Sequence, residues 1–394
     1  MSDNVEAFDA WIRSTFVELN TALEDLYFDQ SDRANVEGVG DEFKRRILDE
    51  GRTYVRALAE EGNTDEGFDQ AFDVLGDLGL YMASLRRHEL TNPAREQRSP
   101  HEEATALGLH IGASVGVVPR FATSHLTTHN LARDGRQKSF TSLSDELLFL
   151  DYNTRGILGY KRAADALIRI SPLGISHAVT ESLFEDAHDA LAAVGTSNAV
   201  LFAELDVDRF FFSVRPYYKP YRVGRQEYRG ANAGDFSGIN EIDLLLGLCR
   251  GNDPYYSQLL VEKMLFMRPE DQESLRDCLR RRSFLDQFLE SLGESGGTEW
   301  FRRNAAAFLR VCEEHGRVAA QHHDQLVVRF IEQPSSALDD SHLEQITASG
   351  PPLPALLASL EVLRDLRLAV RRDDIPTRHA DVARLRDHVG LAAG

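Results

Sequence analysis

Cysteine is scarce: the 394 residues hold three, Cys249, Cys278 and Cys312, far apart in the chain. That spacing fits neither a disulfide framework, nor a zinc site, nor the Cys-x-x-Cys-His of covalently attached haem. A reducing, cytoplasmic setting is the expectation. No stretch approaches the roughly 20 apolar residues of a membrane span, and the acidic start, MSDNVEAFDAW, has no basic segment followed by an apolar run, so neither a membrane anchor nor a secretory leader is predicted. Positive charge is also in deficit, with 44 Lys and Arg against 63 Asp and Glu and a formal charge of −19, which argues against a nucleic-acid backbone or an anionic membrane as partner. Internal repeats and low-complexity tracts are missing too.

What is present reads as helices. Phe8, Trp11, Ile12, Phe16, Leu19, Leu23 and Tyr27 recur at helical spacing, as do Phe43, Ile47, Tyr54 and Leu58, and Phe68 to Leu85 forms a third candidate. RRHELTNPAREQRSP then reads as a polar linker. The glycines and β-branched residues of ALGLHIGASVGVVPRFATSHLTTHNLARDGRQKSF leave its secondary structure open; His125 and His129 share a face if it is helical. From Leu143 to Leu167 the pattern is helical again, with Leu147, Leu150, Ile157 and Ala164 facing the core. Glu185-x-x-His188 is the one Glu-x-x-His in the chain, whereas a carboxylate-bridged di-iron bundle needs two, so it reads as solvated helix surface.

Trp300 to Pro334 looks like one long helix. At about 100° per residue, Phe301, Ala305, Phe308, Cys312, Ala319, Leu326 and Phe330 fall in one narrow apolar sector. His323 projects into the edge of that sector, while His322 points to the shoulder beside His315 and Arg329. A buried imidazole needs a partner, and an unmet ring nitrogen costs about 1–3 kcal/mol. A polar side chain or backbone carbonyl would satisfy it; so would a haem iron, since Ala319 one turn back leaves room for a flat macrocycle.

Phe210 to Gly238 is unusual in composition. Four tyrosines, two prolines and four glycines, with arginines among them, exclude regular helix and predict a structured loop. A phosphate cradle would need a following Lys-Ser/Thr. Arginines among aromatics suit carboxylates, which guanidinium meets with two parallel hydrogen bonds, or simply stack on tyrosines to hold the loop together.

In this loop, Arg215-Pro-Tyr-Tyr-x-Pro-x-Arg-Val-Gly-x-Gln-x-Tyr-x-Gly230 resembles the monodechloroaminopyrrolnitrin synthase family, within the indoleamine 2,3-dioxygenase and tryptophan 2,3-dioxygenase superfamily. Phe211 to Val214, Gly230 to Gly234 and Asp243-Leu-Leu-Leu-Gly-Leu248 are similar to indoleamine dioxygenase, and His323 with Arg329, six apart, resembles the superfamily's proximal histidine and following basic residue. The likeness runs through residues 100 to 360, strongest over 210–250.

The resemblance implies an all-α haem enzyme, with a smaller helical domain and distal-side segment over residues 1–135 and a larger haem-binding domain over 136–394. It implies His323 as ligand to the iron of haem b (iron protoporphyrin IX), with Ala319 and Arg329 beside it. Gly230, Ala231, Asn232, Ala233 and Gly234 would cross the distal face. Arg215, with Arg222 and Arg225 as neighbours, would hold a substrate carboxylate, and Phe149 and Tyr152 would be aromatic walls. His125-x-Thr127-x-x-Asn130 resembles the synthases' distal helix, which makes His125, Thr128 and His129 pocket candidates, the histidines catalytic. The dioxygenases' Gly-Thr-Gly-Gly loop is matched by Ile346 to Pro352, where Thr347 keeps the threonine while Ala348 and Ser349 replace glycines. The implied activity is oxygenation of an aromatic amino acid, tryptophan or an indole derivative, in secondary metabolism, with O2 or peroxide as oxidant. A hydroxylase or rearranging enzyme on a tyrosine-like substrate, a non-catalytic haem or ligand carrier and a purely structural helical protein are the other readings. A homodimer is compatible with all of them.

Overall fold

The structure, a computed structural model, describes residues 2–62, 67–232, 234–332 and 353–391. It is all-α, and among the described residues strand is confined to one short hairpin, β1 (Tyr221–Val223) with β2 (Gln226–Tyr228). No single described helix is long and apolar enough to cross a membrane.

Five helices come first: α1 (Asp3–Ile12), α2 (Thr15–Phe28), α3 (Asp41–Glu61), α4 (Phe68–Arg87) and α5 (Glu102–Val115). Their apolar stripes meet in one core, where Phe8, Trp11, Phe16, Ile47, Phe72 and Tyr81 are fully enclosed. The second core lies among α6 (Ser144–Leu173), α7 (Thr180–Glu204), α9 (Ser237–Leu246), α10 (Pro254–Met264), α11 (Pro269–Arg280), α12 (Phe284–Ser295), α13 (Glu299–Gln321), α14 (Leu353–Arg367) and α15 (His379–Val389). The helices α6 and α7 fold back on each other at Gly159, where an added Cβ would lie 2.5 Å from Val194 Cγ2. Only a glycine lets them approach so closely.

Between α7 and α9 the chain does what its prolines and glycines require. After α8 (Val207–Arg209), single π and 3₁₀ turns run from Phe210 to Tyr218, followed by the β hairpin and an irregular loop to Phe236. Helix α13 starts at Thr298, whose hydroxyl accepts from the Phe301 amide, and from His322 to Glu332 it continues with wider π-helical turns.

Three expectations need correction. The stretch read as a linker is not solvated at its start: Arg86 and Arg87, the last residues of α4, and His88 and Thr91 after it are buried, and Arg87 makes a two-pronged bond to buried Glu24, at 2.7 and 2.8 Å, while also donating to the Phe212 carbonyl. Polar composition marked the residues, but the partners that bury them are about 60 and 125 positions away. Leu147 points outward and is 48% exposed, whereas Leu150, Ile157 and Ala164 are buried. His315 is in the core rather than on a shoulder, because a carboxylate awaits it there. Glu185 and His188 do lie on the half-exposed outer face of α7.

Candidate functional site

A cavity of about 400 Å³ opens where α6, α10, the end of α13, α14 and the loop before α9 converge, a size in the range of small-molecule sites. Ala319, His322 and His323 line it together. Their spacing of i, i+3 and i+4 puts them on one helix face, so the sequence did carry a signal for His322 that the apolar sector alone obscured. Opposite them stand Tyr152, Gly156 and Tyr160 of α6 and Asn232 and Gly234 of the loop. An added Cβ at Gly156 would meet nothing within 4 Å, which leaves a flat stretch of wall.

The two histidines differ in their bonding. Nδ1 of His323 lies 3.1 Å from Asp324 Oδ1 and 3.3 Å from Arg364 Nη1. One ring nitrogen cannot donate to the carboxylate and accept from the guanidinium at once. The shorter contact favours the tautomer with the proton on Nδ1, which leaves the lone pair on Nε2, an atom with no partner among the described residues. His322 makes no hydrogen bond among the described residues. The residue is exposed to the cavity, and desolvation by the surrounding protein, with Arg367, His323 and Lys263 adding to it, lowers its pKa to about 4. It is therefore a neutral imidazole at physiological pH.

Four cationic side chains surround the same space: Arg229, Lys263, Arg364 and Arg367. Arg367 is held by Asp243, whose Oδ2 accepts from Arg367 Nη2 at 2.8 Å and from Tyr256 Oη at 2.8 Å, and whose Oδ1 accepts from Arg367 Nε at 2.9 Å and His315 Nε2 at 2.7 Å. Burial by itself would raise the Asp243 pKa; the Arg367 guanidinium and the His315 bond outweigh it and hold the carboxyl far below the ordinary range. Arg229 is fixed by Asp235 at 2.5 Å and lies over the Phe266 ring. Asp235 also accepts from the Asn232 amide, and Gly234 N donates to Asn232 Oδ1, so one buried carboxylate shapes the whole turn. Lys263 makes no hydrogen bond or ion pair among the described residues, and burial, with Arg367 next, lowers its pKa to about 8.

Of the residues singled out from the sequence, Tyr152, Asn232, Gly234, Ala319 and His323 meet at this cavity. Others do not. His125 sits in a 3₁₀ turn, stacked on Phe72 at 3.9 Å, with Nε2 bonded to the Phe72 carbonyl and Nδ1 accepting from the Ala122 amide, so both nitrogens are occupied in the core. His129 and Thr128 bond to each other, and His129 Nε2 accepts from Arg268. The chain there is a turn and not a helix, so helical spacing does not pair His125 with His129; both rings instead pack against Phe72. That segment instead buttresses the loop: Thr123 donates to the Asn232 carbonyl and Arg120 to the Arg229 carbonyl.

Phe149 packs on Phe210 and Tyr218 away from the wall. Arg222 donates to the carbonyls of Arg225 and Pro93 within and beside the hairpin, and Arg225 is exposed at its tip. Gly230 and Ala231 are buried behind the cavity wall. Arg329 caps the Phe202 carbonyl at 2.7 Å. Arg215 also lies off the wall; it is 6% exposed, its guanidinium makes no hydrogen bond or ion pair among the described residues, and its pKa is lowered to about 10 by burial alone. Ala233 and Thr347 lie outside the described residues. Sequence reading missed Lys263, Arg364 and Arg367, which lie on ordinary amphipathic helices with no motif around them, and Arg229, which stood unweighed inside a loop already noted.

A planar cofactor that takes a nitrogen ligand and has anionic edges would fit this wall: an imidazole Nε2 without a partner among the described residues, small residues at Ala319, Gly156 and Gly234, and a cationic rim. The cysteines, buried in the second core, take no part in it. Compared with known families, residues 2–389 match the model of monodechloroaminopyrrolnitrin synthase PrnB. That match spans nearly the whole chain, and this family sits among the indoleamine- and tryptophan-dioxygenase-like proteins. The chain belongs to the monodechloroaminopyrrolnitrin synthase family and is a haem-dependent oxygenase of small aromatic substrates in secondary metabolism, with O2 as co-substrate.

Proposed function

We propose that the cavity binds haem b without covalent attachment, that His323 is the protein ligand to its iron, and that the substrate is tryptophan or an indole derivative of it. The observation that carries this reading is the bonding of His323: Nδ1 is engaged by Asp324, and Nε2 has no partner among the described residues, on a residue of the cavity wall beside Ala319. An iron-ligating histidine whose other nitrogen is held by a carboxylate has its ring orientation and basicity fixed.

When bound, haem supplies the redox chemistry with O2 that no protein side chain provides. The chain's own residues bind, orient and exclude water. Tyr152, Tyr160 and Phe236 offer aromatic faces for an indole ring. The Asp235-centred turn fixes Asn232 and Gly234 where a substrate passes, and Gly234 keeps that approach free of side-chain bulk. Arg215 is the expected partner for the substrate carboxylate; although it lies off the wall, it has no acceptor among the described residues, and a buried guanidinium without a counter-ion is unfavourable until an anion arrives.

Absorption spectra test the ligand. Wild-type protein supplied with haem shows a Soret band; His323→Ala loses or shifts it, and added imidazole restores it, whereas His322→Ala keeps the wild-type band. A Soret band unchanged in His323→Ala refutes the assignment. Comparing spectral shifts with tryptophan and with tyrosine tests the substrate: a larger response to tyrosine would reject the indole reading.

A further inference from the structure

We propose that Lys263 is the carboxylate anchor of this cavity, the side chain that receives an anionic group of the bound ligand. Three of the four cations on the wall already have acidic partners inside the protein: Arg229 has Asp235, Arg364 has Asp365, and Arg367 has Asp243. Each is electrically answered before any ligand enters. Lys263 is the exception among the described residues. It extends from α10 to lie over the loop, so close that a Cβ added to Gly234 would sit 3.2 Å from its Nζ. The one carboxylate side chain among the described wall residues, Glu262, is exposed and accepts from Gln258, which lines the same cavity, and makes no ion pair with Lys263. Among the described residues the wall therefore carries positive charge without a paired acid at one point.

An ammonium partly withdrawn from water, without acceptor or counter-ion, is costly to keep unless something anionic completes it. A carboxylate meets the need with a charge-assisted hydrogen bond. Lys263 still carries its proton at neutral pH despite burial. The assignment rests on the reading that the cavity takes haem and an aromatic amino acid, either of which brings a carboxylate: a porphyrin propionate or a substrate α-carboxylate.

The test uses full-length protein, with Lys263→Met to remove the charge and Lys263→Arg to keep it. Haemin and haemin dimethyl ester are titrated by the Soret band; then tryptophan and tryptamine, which lacks the carboxylate, are titrated into the loaded proteins. If the anchored group is a propionate, Lys263→Met weakens haemin by about ten- to hundredfold, leaves the dimethyl ester unaffected, and Lys263→Arg recovers most of the loss. If it is the substrate carboxylate, haemin binding is unchanged and the preference for tryptophan over tryptamine collapses in Lys263→Met. Unaltered affinities in Lys263→Met for all four compounds overturn the proposal. A wild-type protein that takes up no haemin at all overturns the cavity reading itself and this assignment with it.

Discussion

Replacing Asp243 by asparagine removes the charge from a carboxylate that has no solvent exposure and four donors around it. The side chain of Arg367 is 13% exposed, so its guanidinium is left without a counter-ion in a poorly solvated place. The asparagine amide group would also point two N–H donors toward His315, Tyr256 or Arg367, all of which donate to the native carboxylate. Breaking a buried ion pair by removing one partner costs about 3–5 kcal/mol, and that is the expected loss of unfolding free energy. Tyr256→Phe deletes one hydrogen bond to the same charged group, worth about 1.5–3 kcal/mol, and with it the acceptor of Asn240 Nδ2, while leaving the ion pair intact.

The sign of the pH dependence follows from the depressed Asp243 pKa. Its contribution is fully present above the unfolded carboxyl value of about 3.9 and is lost only as pH falls below it toward the folded value. The deficit of Asp243→Asn should therefore be constant from about pH 5 to pH 8. Urea unfolding of wild type and both variants at those pH values measures it. An Asp243→Asn protein within about 1 kcal/mol of wild type would refute the idea that this carboxylate holds α9, α10, α13 and α14 together at the cavity wall.

Two further outcomes follow from buried groups. Arg215→Met replaces a buried cation that is unpaired among the described residues with an apolar chain of similar length, so the ligand-free protein should gain at least about 1 kcal/mol in urea unfolding; a loss of stability would mean that the guanidinium is already satisfied. His125 is held neutral by burial, with the charge of Lys138 adding to it, and its pKa falls to about 3. An unfolded histidine takes up a proton below about 6.5, so the native state binds fewer protons between those values and stability falls as pH drops from about 6.5. His125→Asn should flatten that slope by up to about 1.4 kcal/mol per pH unit, measured by urea unfolding between pH 5 and pH 7; an unchanged slope would place the proton elsewhere.

Some of this could be read along the chain. The apolar sector of α13 is buried from Phe301 to Phe330, with Leu326 half-buried, and Ala319 beside two histidines marks a face with space on it. The prolines and glycines of residues 210–238 forbade a helix, and the structure has turns and a hairpin there. These are local facts: periodicity and backbone chemistry act over one or two turns, so a sequence displays them directly. The same locality explains the failures. His125 and His129 were paired on the condition of a helix, and a 3₁₀ turn removed the condition. His315 looked like a shoulder residue because nothing in its own helix announces Asp243, 72 positions earlier.

What the sequence determined by itself is which faces are apolar, where the backbone must bend, and the family to which the chain belongs. What only the tertiary structure decided is the charge of the cavity. Arg229, Lys263, Arg364 and Arg367 come from three separate segments, and their meaning depends on which acids reach them: Asp235 from the same loop, Asp365 from the next residue, Asp243 from across the core, and none for Lys263 among the described residues. A helical pattern states that a face is buried, but the group opposite it is set by how the helices cross, and electrostatic pairing acts through space rather than along the chain.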